Sequence, residues 1–299
     1  MVQQYRTRER GCGMPDASGL NDLLLALALG IVQGFTEFFP ISSSAHLYAI
    51  PYLFSINDPL LASRAFGAVL HLGTLAAVLV ALRSDVTRLL SCALLPILSL
   101  GRRRGDSADE RLIIAILVGT IPAVIFGLFA GDFLDTSVRT PLVVAVAVLA
   151  GAALLWVADR AQSLQRPLTG IAAFDGVVIG LMQALALIPG ISRSGATISA
   201  GLLLGFSRDA AARISFLMGI PAIAGAGVLE LRSLLQEGGD IQQAAPLLIV
   251  GLLASFFSGL IAIRLLIRLL SGGKLWSFAI YRVGFALLLV AVALLRGEI

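Results

Sequence analysis

A chain of 299 residues, 58% hydrophobic and 13% charged with a mean hydropathy of +0.94, has too little polar surface to face water, since soluble domains carry roughly 25% charged residues. A cytosolic enzyme and a disordered chain are excluded, and so is a secreted scaffold, because Cys12 and Cys92 are too few and too far apart for a disulfide framework or a metal cage. The formal charge of +4 and pI near 9.6 do not point to nucleic acid, because the basic residues punctuate apolar segments, where they orient a protein in a bilayer.

What remains is an all-α integral membrane protein. Only helices and closed barrels satisfy their backbone groups in lipid, and these apolar runs are too long and unbroken for barrel strands. Residues 1–22, with Arg6, Arg8, Arg10, Asp16 and Asp22, read as a polar tail without the pattern of a cleavable signal peptide. The stretch 23–36 is apolar but is stopped by Glu37 and Pro40, and a serine run follows. Spans are predicted at 67–82, 112–130 and 141–158, near the roughly 20 residues a bilayer requires. Between the first two, the arginines of 102–104 read as a solvated loop. The stretch 176–188 then repeats the earlier pattern: apolar, broken by Pro189-Gly190, and followed by Ser192-Arg193-Ser194. Further spans are predicted at 214–229, 244–263 and 278–295, with Glu230 marking an interface. Arg282, one turn inside the last span, is expected to snorkel to the surface.

The two breaks are copies. Gly30-Ile31-Val32-Gln33 matches Gly180-Leu181-Met182-Gln183, and 41–44 matches 191–194, both at an offset of 150 residues. Each half reads as one re-entrant helical hairpin followed by three spans. The expected architecture is six transmembrane helices plus two re-entrant hairpins, in one membrane domain (23–299) of two inverted repeats, about 23–158 and 171–299. Paired Pro/Gly interruptions in inverted halves point to a binding site near the midplane. If both broken segments return to their own side, loops opposite the N-terminus carry twice as many Lys and Arg as those on its own side, which favours the N-terminus outside. Counting both as full spans instead puts the N-terminus on the richer side.

Ionisable groups inside a membrane are costly and default to functional use. Here they gather at the breaks: Glu37 and His46 at the first, Arg193 at the second. Gln33 and Glu37, four apart, share a helix face. Ser42, Ser43 and Ser44 sit where a half-helix begins; serine is a preferred N-cap, and the free N–H groups attract anions. His46 falls one turn beyond Ser42. Ser192, Ser194 and Thr197 surround Arg193, whose guanidinium fork suits phosphate oxygens. One half thus offers an anion holder and the other an acid/base pair, Glu37 with His46, able to activate a nucleophile. The copies have diverged, since Leu187 matches Glu37 and Ser43 matches Arg193, and this favours catalysis over a symmetric passive pore. The plainer uses of the same residues are helix caps for the serines, a structural ion pair for Glu37 and Arg193, and core packing for His71.

The segments Gly-Ile-Val-Gln-Gly-Phe-Thr-Glu-Phe-Phe-Pro-Ile-Ser-Ser-Ser-Ala-His (30–46) and Pro-Gly-Ile-Ser-Arg-Ser-Gly-Ala-Thr (189–197) resemble the two signatures of the undecaprenyl-diphosphatase, or bacitracin-resistance, family. Ala-Ile-Tyr-Arg (279–282) is similar to the same family, and the resemblance runs from about 22 to 296. It implies hydrolysis of undecaprenyl diphosphate to undecaprenyl phosphate and inorganic phosphate, recycling the lipid carrier of cell-wall synthesis at an outward-facing site in the cell membrane. It also implies a Glu/Gln-x-x-x-Glu element at Gln33 and Glu37, an essential histidine at His46, a serine acting near it at Ser43, and a phosphate-holding arginine at Arg193. Ser42, Ser44, Ser192, Ser194 and Thr197 are expected around the phosphate. Stimulation by Mg2+ or Ca2+ and frequent homodimers are implied too, although no ligand set for a metal is visible in the sequence. Three positions depart from the family pattern. Gln33 stands where many members carry a second glutamate, Ala45 replaces a glycine, and Gly67 replaces an acidic residue. The nucleophile is left open among Ser43, His46 and a water. A carrier or flippase of an anionic polyprenyl lipid is the competing reading, because inverted repeats with broken helices also build transporters.

Overall fold

Helix fills the apolar stretches and continues past the internal prolines Pro51, Pro122, Pro221 and Pro246, while the chain breaks at Pro40 and at Pro189-Gly190. The computed structural model describes residues 17–56, 58, 60–61, 63–98, 107–136, 138–161, 165–236, 241–271, 273 and 275–299. Among them the first six α-helices are α1 (Ala17–Phe38), α2 (Ser43–Phe54), α3 (Arg64–Ala81), α4 (Arg83–Leu98), α5 (Ser107–Thr136) and α6 (Pro141–Ala161). Five more follow: α7 (Ala173–Leu185), α8 (Arg193–Leu203), α9 (Arg208–Gln236), α10 (Ile241–Ser271) and α11 (Leu275–Leu295). The described residues contain no β-strand beyond one isolated bridge, Arg166 with Phe206.

Six stretches are long and apolar enough to cross a bilayer: Gly19–Phe38, Ala108–Ala130, Pro141–Ala161, Arg208–Val228, Ala244–Leu270 and Leu275–Leu295. Five of the expected spans recur. The sixth, 67–82, falls on α3 and its C-cap Leu82; α3 bends by 82° into α4 and passes the same test only together with it, giving up to seven among the described residues. The first broken segment also departs from expectation. Only Pro40 stops it, so α1 extends back to Ala17, takes in part of the expected polar tail, and is long enough to span. Its counterpart α7 has 13 residues, the length of a helix that enters without crossing. Residues 1–16 and the arginines of 102–104 lie outside the described residues, as does the side chain of Glu230.

The halves interlock. α1 packs along α10 and α7 along α5, while the equivalent pairs α3 with α9 and α6 with α11 meet each other. Small residues make the exchange possible, as they do between membrane helices generally. A side chain at Gly30 would run into Gly251 and Ala254, and one at Gly34 into Ser258. On the other seam, Gly176 and Gly180 lie against the backbone of Ala115 and Gly119. Ion pairs gather near helix ends: Asp85 with Arg88 and Arg213, Asp159 with Arg208, and Asp175 with Arg166.

Candidate active site

Pro40 has no N–H to continue the ladder and clashes with the turn before it, so α1 ends at Phe38. The chain then turns through Ser42, at φ 76° and ψ 96°, before α2 starts. Ser42 Oγ accepts the N–H of Ala45 at 3.4 Å and lies 3.2 Å from Ser44 Oγ. The second break repeats this atom for atom. Ser192 sits at φ 75° and ψ 112°, accepts the N–H of Gly195 at 3.1 Å and lies 3.3 Å from Ser194 Oγ. Together with Ser55, these are the non-glycine residues of positive φ among the described residues. Such conformations are strained for L residues and gather at functional sites.

The breaks touch one another and share a tie. Ser194 Oγ donates to Phe39 O at 3.0 Å, and Gly190 N donates to Ser44 Oγ at 3.4 Å. Arg282, expected to snorkel outward, instead turns inward and is fully buried. It donates to Pro40 O at 3.2 Å in the first break, to Gly190 O and Ile191 O at 2.9 Å in the second, and to Val148 O at 3.1 Å. Interrupted helices leave carbonyls without partners, and these attract the guanidinium more strongly than the surface does. Gly151 makes the room, since a side chain there would strike Arg282.

This frame joins three of the predicted groups to a fourth, Glu37. Arg193 Nη2 donates to Glu37 Oε1 at 2.7 Å. Ser43 Oγ donates to Glu37 Oε2 at 2.8 Å, and Gln33 Nε2 donates to the same oxygen at 3.1 Å. Arg193 also donates to Ser215 O at 3.2 Å, and Gly219 leaves space for its guanidinium. The carboxylate is buried, while Ser43 and Arg193 are partly open.

The histidine beside the carboxylate is not the expected one. His46 donates from Nδ1 to Ser42 O at 2.7 Å and meets the Tyr281 hydroxyl at Nε2, also at 2.7 Å. It stacks on Phe285 with 4.3 Å between ring centroids, so both its nitrogens and one face are engaged away from Glu37. His71, read as core packing, instead has Nε2 3.6 Å from Glu37 Oε2. It lines a cavity of about 660 Å³ together with Ser44, Gly67, Tyr52, Arg139 and Arg296. Ser192 and Ser42 act as helix caps. Thr197 donates to Arg193 O at 2.8 Å, lies 2.6 Å from Ser215 Oγ and is fully buried, so it supports the helix that carries Arg193.

His71, Tyr281 and Arg282 therefore belong to the site region although spacing alone did not put them there. The only hint was the resemblance of 279–282 to a family signature, which now has a physical content: Tyr281 holds His46 and Arg282 holds both breaks.

Comparison with known proteins gives the family. The sequence model of the family described as Bacitracin resistance protein BacA matches residues 26–288. The undecaprenyl-diphosphatase of Myxococcus xanthus is 43% identical over 271 residues, covering 90% of this chain and 89% of that protein. That of Moorella thermoacetica is 42% identical over 274 residues, covering 92% and 99%. That of Thermomicrobium roseum is 42% identical over 278 residues, covering 89% and 96%. With matches running through both breaks and the tie between them, this chain belongs to the BacA family of bacitracin-resistance proteins.

Proposed function

We propose that this chain is a membrane-embedded phosphatase that hydrolyses undecaprenyl diphosphate to undecaprenyl phosphate and inorganic phosphate. One observation carries the mechanism: Ser43 Oγ donates at 2.8 Å to a carboxylate whose other oxygen holds Arg193 at 2.7 Å. A hydroxyl pointing at a buried carboxylate is a nucleophile beside its base. Of the two side chains left open as nucleophile, Ser43 is favoured over His46 because both His46 nitrogens are engaged. Ser43 Oγ attacks the terminal phosphorus and passes its proton to Glu37 Oε2. Arg193, released from Glu37 as the base is neutralised, then faces the equatorial oxygens, where transition-state charge collects. The N-terminal N–H groups of α2 and α8 add to that field.

The same reading assigns the two halves to an inverted duplication, supported by the matched serine caps and the exchanged packing of α1 and α7. It places the protein in the cell membrane with its site facing outward. Arg139, Arg296 and Ser63 at the cavity mouth fall on the side that holds the N-terminus, the side poorer in basic residues. The donor set does not fit a resident divalent cation. Among the described residues no group of three His, Cys, Asp or Glu side chains could hold a metal, and the carboxylate at the site is already paired with a guanidinium. No step is therefore derived through a metal. Stimulation by Mg2+ or Ca2+ is proposed to come through ions carried in on the diphosphate, which a chelator added after substrate would remove.

The test is phosphate release by purified protein in detergent given a polyprenyl diphosphate. Many turnovers are expected, abolished by Ser43→Ala and by Glu37→Gln. A carrier would release no phosphate, and native rates in either variant would overturn the assignment.

A further inference from the structure

We propose that His71 is the base that activates water in the second half of the reaction, an inference that rests on Ser43 being the nucleophile. His71 Nδ1 lies 2.7 Å from Gly67 O; a carbonyl can only accept, so the proton sits on Nδ1, and Nε2 is the nitrogen left to exchange one. Nε2 is turned to Glu37 Oε2 at 3.6 Å, the same oxygen that receives Ser43. The His71 side chain is 31% exposed against 6% for Glu37, so the imidazole, not the carboxylate, meets the cavity. Space beside it is open, since a Cβ at Gly67 would touch nothing within 4 Å. Of the two histidines in the chain, His46 is held at both nitrogens by Ser42 and Tyr281, which leaves His71 for proton transfer.

The steps balance. In the first half the Ser43 Oγ–P bond forms, and the bond from that phosphorus to the bridging oxygen breaks. The lipid monophosphate leaves with the electron pair, and the serine proton moves to Glu37. In the second half a cavity water attacks the phosphoserine and gives its proton to His71 Nε2. The Oγ–P bond breaks, Oγ takes its proton back from Glu37, inorganic phosphate departs, and His71 releases its proton to the cavity. One base alone would have to shed the first proton before accepting the second. The pair divides the work between a buried group and an open one.

The experiment uses the intact protein in detergent with a polyprenyl diphosphate labelled on the terminal phosphate. His71→Ala is expected to lower kcat by about 100-fold or more, the usual scale of general-base loss, with KM falling in parallel and kcat/KM nearly unchanged, because the first half of the reaction is untouched. Lipid monophosphate should appear in a burst of one per chain while the label stays on Ser43. Added imidazoles, small enough for the cavity, should restore phosphate release in the order of their basicity. His71→Gln, close in size but unable to transfer a proton, should behave like His71→Ala. Native turnover in His71→Gln would overturn the proposal, and so would slow turnover without labelled Ser43 and without a response to imidazole. These outcomes separate from failure of the underlying reading. Wild-type protein that releases no phosphate, or Ser43→Ala that releases it at the native rate, removes the phosphatase mechanism itself. Turnover that depends on Ser43 but is indifferent to His71 removes only this inference.

Discussion

The two breaks share a backbone and differ in what they carry. Ser42 and Ser192 have φ angles of 76° and 75°, cap the next half-helix in the same way, and each lies near a second serine hydroxyl two residues on. On this common frame the first break presents Gln33, Glu37 and Ser43, and the second presents Gln183, Leu187 and Arg193 at the matching positions. In the proposed reading, duplication accounts for the cradle and divergence at 37/187 and 43/193 for the chemistry. A site with acid and cation in both halves would cancel itself in two ion pairs. Divergence leaves one base, one cation and a single place where they meet.

The sharpest way to break this division of labour is at Arg193. Arg193→Ala is expected to lower the rate of phosphate release by about 10³-fold, the upper end of what one preorganised donor supplies. It also strands the Glu37 carboxylate, so a destabilisation of about 3–5 kcal/mol should accompany it. Arg193→Lys restores the charge without the fork and should recover stability more than rate. Phosphate release and thermal unfolding in detergent measure both. A stable Arg193→Ala protein working at the native rate would show that the second break is scaffold only.

Arg282 tests the opposite claim, that the frame is shared. It reaches carbonyls in both breaks, so Arg282→Met should loosen both, at a cost of about 3–5 kcal/mol for a buried polar network deprived of its centre. Hydrogen exchange at the first turns of α2 and α8 should rise together, with a rate loss of about 10-fold or more from the misplaced groups. Exchange that rises in one turn alone would show that the breaks are held independently.

The breaks were legible in the sequence because their causes are local: Pro40, Pro189-Gly190, serines where helices restart, and an offset that repeats. The meeting of Glu37 with Arg193 followed from placing both breaks in one site. What was not legible depends on packing between distant helices. Nothing around His71 distinguishes a histidine facing the core from one facing Glu37, because its role is set by how α3 lies on α1. Arg282 looked like a snorkelling residue because the carbonyls that draw it in belong to residues 134 and 242 positions away. The length of α1 was missed for a simpler reason: its first turns, around Asn21 and Asp22, are polar but not helix-breaking.

Smaller effects sharpen the symmetry. Ser42→Ala and Ser192→Ala each remove a capping oxygen and should each cost about 1 kcal/mol, while glycine, which tolerates positive φ, should cost only a few tenths. Thermal unfolding of the four single variants checks this. Equal costs in the two halves fit a common frame; a cap that matters in one half alone would mean the breaks only look alike.

The smallest expected effect lies at the glutamines, where the copies match in residue but not in partner. Gln33 gives its amide to Glu37 at 3.1 Å. Gln183, 2% exposed on α7, has neither amide atom hydrogen bonded among the described residues, because the position one turn on is Leu187. A buried amide without partners carries its desolvation cost unreturned. Gln183→Leu should therefore be neutral or stabilising by about 1 kcal/mol, with unchanged phosphate release. Gln33→Leu should lose about 1 kcal/mol and slow turnover, because Glu37 Oε2 then keeps only Ser43 as a donor. If Gln183→Leu slowed phosphate release as much as Gln33→Leu, the second half would be contributing more than Arg193 to the chemistry, and divergence at two positions would no longer account for how one cradle became base and the other cation.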